Sequence, residues 1–367
     1  MTDTRLQRMA QVLIHYSLGM KKGERLAITT GPQAVPLVRE TVREALRAGS
    51  FPETFFRIAD IQEVVFKEAS DEQLQYIPPY MRFIVEEYET MLQIMAAENT
   101  KALSGVNPER QAIAQQAGAD LMQTNMRRTA DGSLRWCAAL FPTNAYAQDA
   151  GMSLSDFEDF VYHACFMDED DPVARWQELS RQQERLVQWL NGKHTVRILG
   201  PDTDLTLSIA GRVFINGDGH YNFPDGEFFT GPVEDSANGY IRYTFPASFG
   251  GRAVEDVRLR FEDGVVVEAR AARSQDYLDQ MLSLDEGAKR LGEFAFGNNP
   301  NVTSFIKNTL FDEKIGGTIH LALGASYPMT GAVNQSALHW DMVCDLRQGG
   351  EIRVDGELFS KDGVFVV

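Results

Sequence analysis

Residues 21–58 read KKGERLAITTGPQAVPLVRETVREALRAGSFPETFFRI. KKG offers a turn, and a strand follows around Arg25–Thr29. The next stretch is helical: Val35, Leu37, Val38, Val42, Ala45 and Leu46 recur at helical spacing. Gly49 then supplies the residue past the helix end. FPETFFRI is the next strand. A strand–helix–strand at this spacing predicts a parallel βαβ unit, because a helical crossover brings the second strand back in the same direction. The βα turn GPQAVP lacks both G-x-G-x-x-G and G-x-x-x-x-G-K-[ST], so it predicts no nucleotide site.

Working outward, residues 60–125 read as mostly helical, including DEQLQYIPPYMRFIVEEYETMLQIMA (71–96). RWCAALF (135–141) returns to the sheet as a strand. SLSDFEDFVYHACFM begins a helix with Ser153 or Ser155 as N-cap, and a long polar-faced helix ends at Gly192. The acidic run Asp168–Asp171 lies just before that helix. Helix N-termini favour acids, so capping and solvation account for it better than a metal site.

From about His194 the texture changes to short β-type runs broken by Gly, Asp and Pro. FEDGVV (261–266) and VDGELF (354–359) carry Asp-Gly turn signals, and one helix is expected in SQDYLDQMLSLDEGAKRLG (274–292). The fold class is therefore an α/β N-terminal domain with a parallel sheet and helices, residues 1–193. A mixed, β-rich α+β C-terminal domain, residues 194–367, carries the chemistry.

Thirty-five Lys+Arg against 52 Asp+Glu give a net charge of −17. That argues against a nucleic-acid partner, which needs a basic patch. No apolar run approaches the ~18 residues of a membrane span. Cys137, Cys165 and Cys344 are odd in number and form no C-x-x-C pair. They predict a reducing compartment, most simply the cytoplasm, and no thiolate metal site.

LHWDMVCD (338–345) alternates. Leu338, Trp340 and Met342 take one parity; His339, Asp341, Val343 and Asp345 take the other, so His339 and Asp341 share one strand face. His320, in GGTIHLALG, lies 19 residues earlier, a separation that suits two strands joined by a loop. Glu227 follows a Pro-Asp-Gly turn in NFPDGEFFTGP, and alone reads as a turn residue. Glu293, in KRLGEFAFGNNP, is flanked by Gly, Phe and Ala and needs a partner. Glu313, in LFDEKIGG, reads alone as part of a charged turn. Two histidines with three of the four carboxylates Glu227, Glu293, Glu313 and Asp341 are the donor set that divalent metals prefer. Burying so many acids without a cation costs several kcal/mol. Five protein ligands for two ions would call for a bridging carboxylate and a shared water.

Four segments in order, NFPDGEFFTGPVED, GEFAFGNNP, DEKIGGTIHLALGASYP and NQSALHWDMVCDLR, resemble the signature segments of the aminopeptidase T family, dimetal exopeptidases also called leucyl aminopeptidases. LFPTNAYAQDAGMSLSDFEDF and GERLAITTGPQAVPLVRETVREA support the resemblance, which covers most of the chain. It implies metal ligands at Glu227, Glu293, His320, His339 and Asp341, with the catalytic acid–base on Glu313 and a catalytic tyrosine on Tyr327. It further implies two divalent ions (zinc, cobalt or manganese), peptide substrates with a free N-terminus, a metal-activated water and a homodimer. His220 and Asp225 would support Glu227, while Asp345 remains a structural or solvated acid. This sequence departs from the family in a short Tyr327–His339 loop and in the seven residues from Glu313 to His320, tighter in some members. The competing expectations are a dimetal amide hydrolase with a narrow non-peptide substrate, and a non-catalytic ligand-binding relative on the same scaffold.

Overall fold

A computed structural model describes residues 3–249 and 252–367. The chain divides into two compact units, one of Met1–Val173 with Gly219–Pro224 and one of Ala174–Asp218 with Asp225–Val367.

The first unit is built on a parallel sheet. Arg25–Thr30 pairs with Phe51–Phe56 on one side and Thr90–Met95 on the other, and Arg135–Leu140 and Asn222–Phe223 complete it. The helix between the first two strands runs Val35–Arg47, and Gly49 takes the left-handed φ of 79° that a helix end requires. Ser153 caps Leu154–Ala164 through the Asp156 N–H at 3.1 Å. The helical reading of 60–125 needs one correction. Helix Pro79–Glu87 stops, and TMLQIM becomes a strand between two others in the sheet. A short apolar run has no period that separates strand from helix, so pairing on both edges decides.

The second unit is antiparallel. Among the described residues, an eight-stranded sheet and a five-stranded sheet contribute to one hydrophobic core. Both Asp-Gly turns form, with positive φ at Asp263, Gly264, Asp355 and Gly356, as a type I′ hairpin demands. The helix expected over 274–292 is shorter, Gln275–Leu282, followed by a single 3-10 turn at Gly287–Lys289.

The five-stranded sheet positions the chemistry. Its order is His339–Asp345, Thr318–Gly324, Leu291–Gly297, Glu227–Thr230, Ile215–Gly217. Directly paired residues share a face, so the register sorts the side chains. Trp340 pairs with Leu323, Met342 with Leu321 and Ile319 with Phe296, and all of these lie in the core. Each such side chain contributes roughly 1.5–3 kcal/mol by its burial. The opposite face carries Asp341 against Ala322 and Ala322 against Glu293. His320 pairs with Ala295, His339 with Gly324 and Glu227 with Gly297. Every candidate ligand on this face thus stands beside an alanine or a glycine, which leaves space above the sheet.

Candidate metal centre

Glu293 reaches that face through a bulge. Leu291 pairs with Leu323 on the core side, yet Glu293, two residues on, pairs with Ala322 on the other. Gly292 is the extra residue that reverses the alternation. A Cβ there would lie 2.2 Å from the carbonyl oxygen of Ala325, so only glycine fits.

The side chains converge. Glu293 Oε1 lies 3.3 Å from His320 Nε2, and its Oε2 lies 3.4 Å from His339 Nε2. Glu227 Oε2 is 3.3 Å from His320 Nε2, and Asp341 Oδ1 is 3.5 Å from His339 Nε2. The Nδ1 of His339 lies 2.8 Å from the Ala325 carbonyl oxygen. A proton on Nδ1 donated there leaves Nε2 as a free donor atom, as metal-binding histidines commonly require. Three triplets place their ligand atoms within 4.8 Å of one another: Glu227–Glu293–His320, Glu293–His339–Asp341 and Glu313–His320–Asp341. All five ligands implied by the family resemblance, and Glu313, are therefore brought together.

Glu313 follows the short helix Thr309–Asp312. Tyr327 sits at the start of the Pro328–Thr330 turn, 42 % exposed, with its ring 5.2 Å from that of His339 and 5.5 Å from that of Phe229. Asp225 is buried, and its Oδ1 accepts from the Gly226 N–H at 3.0 Å. His220 belongs to the first unit, where its ring lies 4.5 Å from Tyr16. Asp345 is paired with Arg347 at 2.7 Å.

One charged group at the site goes unread in the sequence. Lys314 is fully buried, and its Nζ lies 2.5 Å from Glu227 Oε1 and 2.8 Å from Glu313 Oε1. Nothing in FDEKIGG separates this lysine from a solvated turn residue. Asp312 is also buried and accepts the Ile306 N–H at 2.7 Å, fixing the turn before the helix.

The electrostatics report an excess of carboxylate. Burial would lower the two imidazoles, but hydrogen bonding to Glu293 and the charges of Glu227 and Glu293 lift His320 to about 9. For His339 burial is likewise overcome, chiefly by the negative charge of Asp341, and it rises to about 12. Burial would raise Asp341, yet His339 holds it down at about 2. Burial also works against Glu293, which its two histidines keep below the usual carboxylate range. Burial lifts Glu227 to about 8 and raises Glu313, each opposed by the positive charge of Lys314. Lys314 itself, surrounded by carboxylates, is held protonated.

The residues fit a divalent cation. Among the described residues, Glu227 Oε2 and Asp341 Oδ1 are buried without a hydrogen-bond partner, and both face an imidazole nitrogen. Four carboxylates stand against one lysine, and one negative charge is left over even with both histidines protonated. A cation resolves the mismatch with the oxygen and nitrogen donors present.

Such a donor set is that of a metal-dependent hydrolase. The chain belongs to the thermophilic metalloprotease (M29) family, whose model matches residues 2–365. It is 29% identical to aminopeptidase 2 of Geobacillus stearothermophilus, over 98% of this chain and 95% of that one. It is also 29% identical to aminopeptidase T of Thermus thermophilus, over 88% and 85% of the two chains. The solved structure of wild-type AmpT from Thermus thermophilus superposes with a TM-score of 0.87 at 25% identity, covering 99% of each chain. The fold class is thus shared, with a parallel-sheet α/β region followed by an antiparallel β-rich one.

Proposed function

We propose that this chain is a metal-dependent aminopeptidase that removes N-terminal residues from peptides at a dinuclear centre on the five-stranded sheet. The family and the aminopeptidase names of the relatives support the activity. The observation that carries the two-ion reading is Glu293, whose two oxygens are divided between His320 and His339. A carboxylate so divided is suited to bridge, with Glu227 and His320 on one side and His339 and Asp341 on the other.

Zinc, cobalt or manganese held there would supply Lewis-acid polarisation of a carbonyl and a nucleophile near neutral pH. Glu313 is the general base: it takes a proton from the attacking water and returns it to the leaving amine. Tyr327 donates its phenolic hydrogen to the tetrahedral oxyanion. Its partial exposure beside the His339 ring suits a group that meets substrate from the solvent side. Residues 194–367 carry the catalytic chemistry, and Asp225 supports the Glu227 turn. A homodimer in the cytoplasm completes the reading. Its support is the exposed apolar side chains of Ile61, Val64 and Phe83 on the first unit, three cysteines that form no disulfide, and the lack, among the described residues, of any helix long and apolar enough to cross a membrane.

Hydrolysis of amino-acid p-nitroanilides tests this reading. Activity should vanish with a chelator and return with added zinc, cobalt or manganese. Bound metal without hydrolysis of any such substrate would point instead to an amide hydrolase of narrower scope.

A further inference from the structure

Lys314 is an unusual neighbour for a metal centre. A fully buried ammonium is stable only among carboxylates, and it has three: Glu227 Oε1 at 2.5 Å, Glu313 Oε1 at 2.8 Å and Asp225 Oδ1 at 3.9 Å. Its hydrogen bond takes one oxygen of Glu227, and the other oxygen faces His320 with no hydrogen-bond partner. The other half of the centre differs. Among the described residues, the ion pairs of Glu293 and Asp341 are with His320 and His339 alone. A cation on the Glu227 side must therefore share a carboxylate with an ammonium already hydrogen-bonded to it, whereas no lysine or arginine pairs with Glu293 or Asp341 among the described residues.

We propose that the Lys314 ammonium is a resident cation of the centre and makes its two halves unequal. The Glu293–His339–Asp341 half takes a divalent ion first. The Glu227–Glu293–His320 half takes one only as Lys314 gives up its share of Glu227. The inference rests on the two-ion reading above and adds an order of filling that symmetry of the ligand set alone would not give.

The test is a titration of the metal-free protein with zinc or cobalt against a chromophoric chelator, with bound metal counted by mass spectrometry. Two steps are expected, separated by about tenfold or more, the scale of repulsion between a lysine and a divalent ion that share a carboxylate. Lys314→Met should bring the steps together by strengthening the second, while Lys314→Arg, which keeps the charge, should leave them apart. Should Lys314→Met not fold, Glu227→Gln should remove the weak step and Asp341→Asn the tight one. Two equal steps in the unsubstituted protein, an unchanged gap in Lys314→Met, or loss of the tight step in Glu227→Gln would each overturn the proposal. Failure to bind either metal would instead overturn the two-ion reading on which it stands.

Discussion

His339 and Asp341 stand two residues apart on one strand, with Nε2 of the first 3.5 Å from Oδ1 of the second, while Trp340 between them points into the core. The pair is thus held by the packing behind it. Asp341→Asn and His339→Ala should each lose about one equivalent of bound metal and lower kcat by roughly 10²-fold or more, the range seen for disrupted metal sites. Asp345→Asn, on the same strand face but paired with Arg347, should keep both metal and activity. Metal analysis beside steady-state kinetics on the three variants decides the point.

On the proposed reading Glu313 transfers the proton and Tyr327 stabilises the oxyanion, and neither serves primarily to hold metal. Glu313→Gln should lower kcat by about 10²–10⁴-fold, and Tyr327→Phe by about 10²–10³-fold, with KM nearly unchanged. A Glu313→Gln protein that has lost a metal equivalent would make Glu313 a ligand, as its place in the Glu313–His320–Asp341 triplet allows.

Gly292 is the hinge of the Glu293 strand. A Cβ at that position meets the Ala325 carbonyl oxygen at 2.2 Å and the Gly324 carbonyl oxygen at 2.3 Å, both backbone atoms. Gly292→Val should cost about 2 kcal/mol or more, as overpacking does. It should also weaken metal binding, because Glu293 must shift with the bulge. Denaturant unfolding of the metal-free protein reads the first effect and chelator competition the second.

In the first unit, Glu89 accepts from the Arg25 main-chain N–H at 2.8 Å and from its guanidinium at 2.7 Å. The guanidinium hydrogen bond holds the Glu89 carboxyl down at about 2, against an ordinary value of 4.5. The folded value is the lower one, so this pair stabilises fully above pH 4.5 and loses its contribution as pH falls through about 2. With both side chains a third exposed, screening reduces the effect to about 1 kcal/mol. Glu89→Gln should therefore lower Tm at pH 7 and converge with the parent protein near pH 2, measured by thermal unfolding across that range.

Much of this arrangement is legible in the sequence, for definable reasons. Strict alternation puts His339 and Asp341 on one face, and a loop of suitable length lets the His320 strand pair beside them. The βαβ reading of 21–58 follows from helical spacing between two β-rich runs. Parity fails at Glu293, because Leu291 and Glu293 share it but point to opposite faces across the Gly292 bulge. The strand at Thr90–Met95 is hidden by its length and by the helix that precedes it. Lys314 is hidden because its burial depends on Glu227, 87 residues away, and local composition carries no trace of such a partner.

The alanines and glycines beside the candidate ligands also bear on redesign. Ala295, Ala322, Gly297 and Gly324 sit next to His320, Glu293 and Asp341, Glu227, and His339 in turn. At Gly297 and Gly324 a Cβ would fall within 2.3 Å of a backbone carbonyl oxygen. A library aimed at new substrate preference would waste its diversity on this face, where enlargement displaces ligands before it reshapes any contact with substrate. Variation belongs in the connecting segments 300–308 and 328–337, which lie between the elements of the sheet and leave Tyr327 untouched.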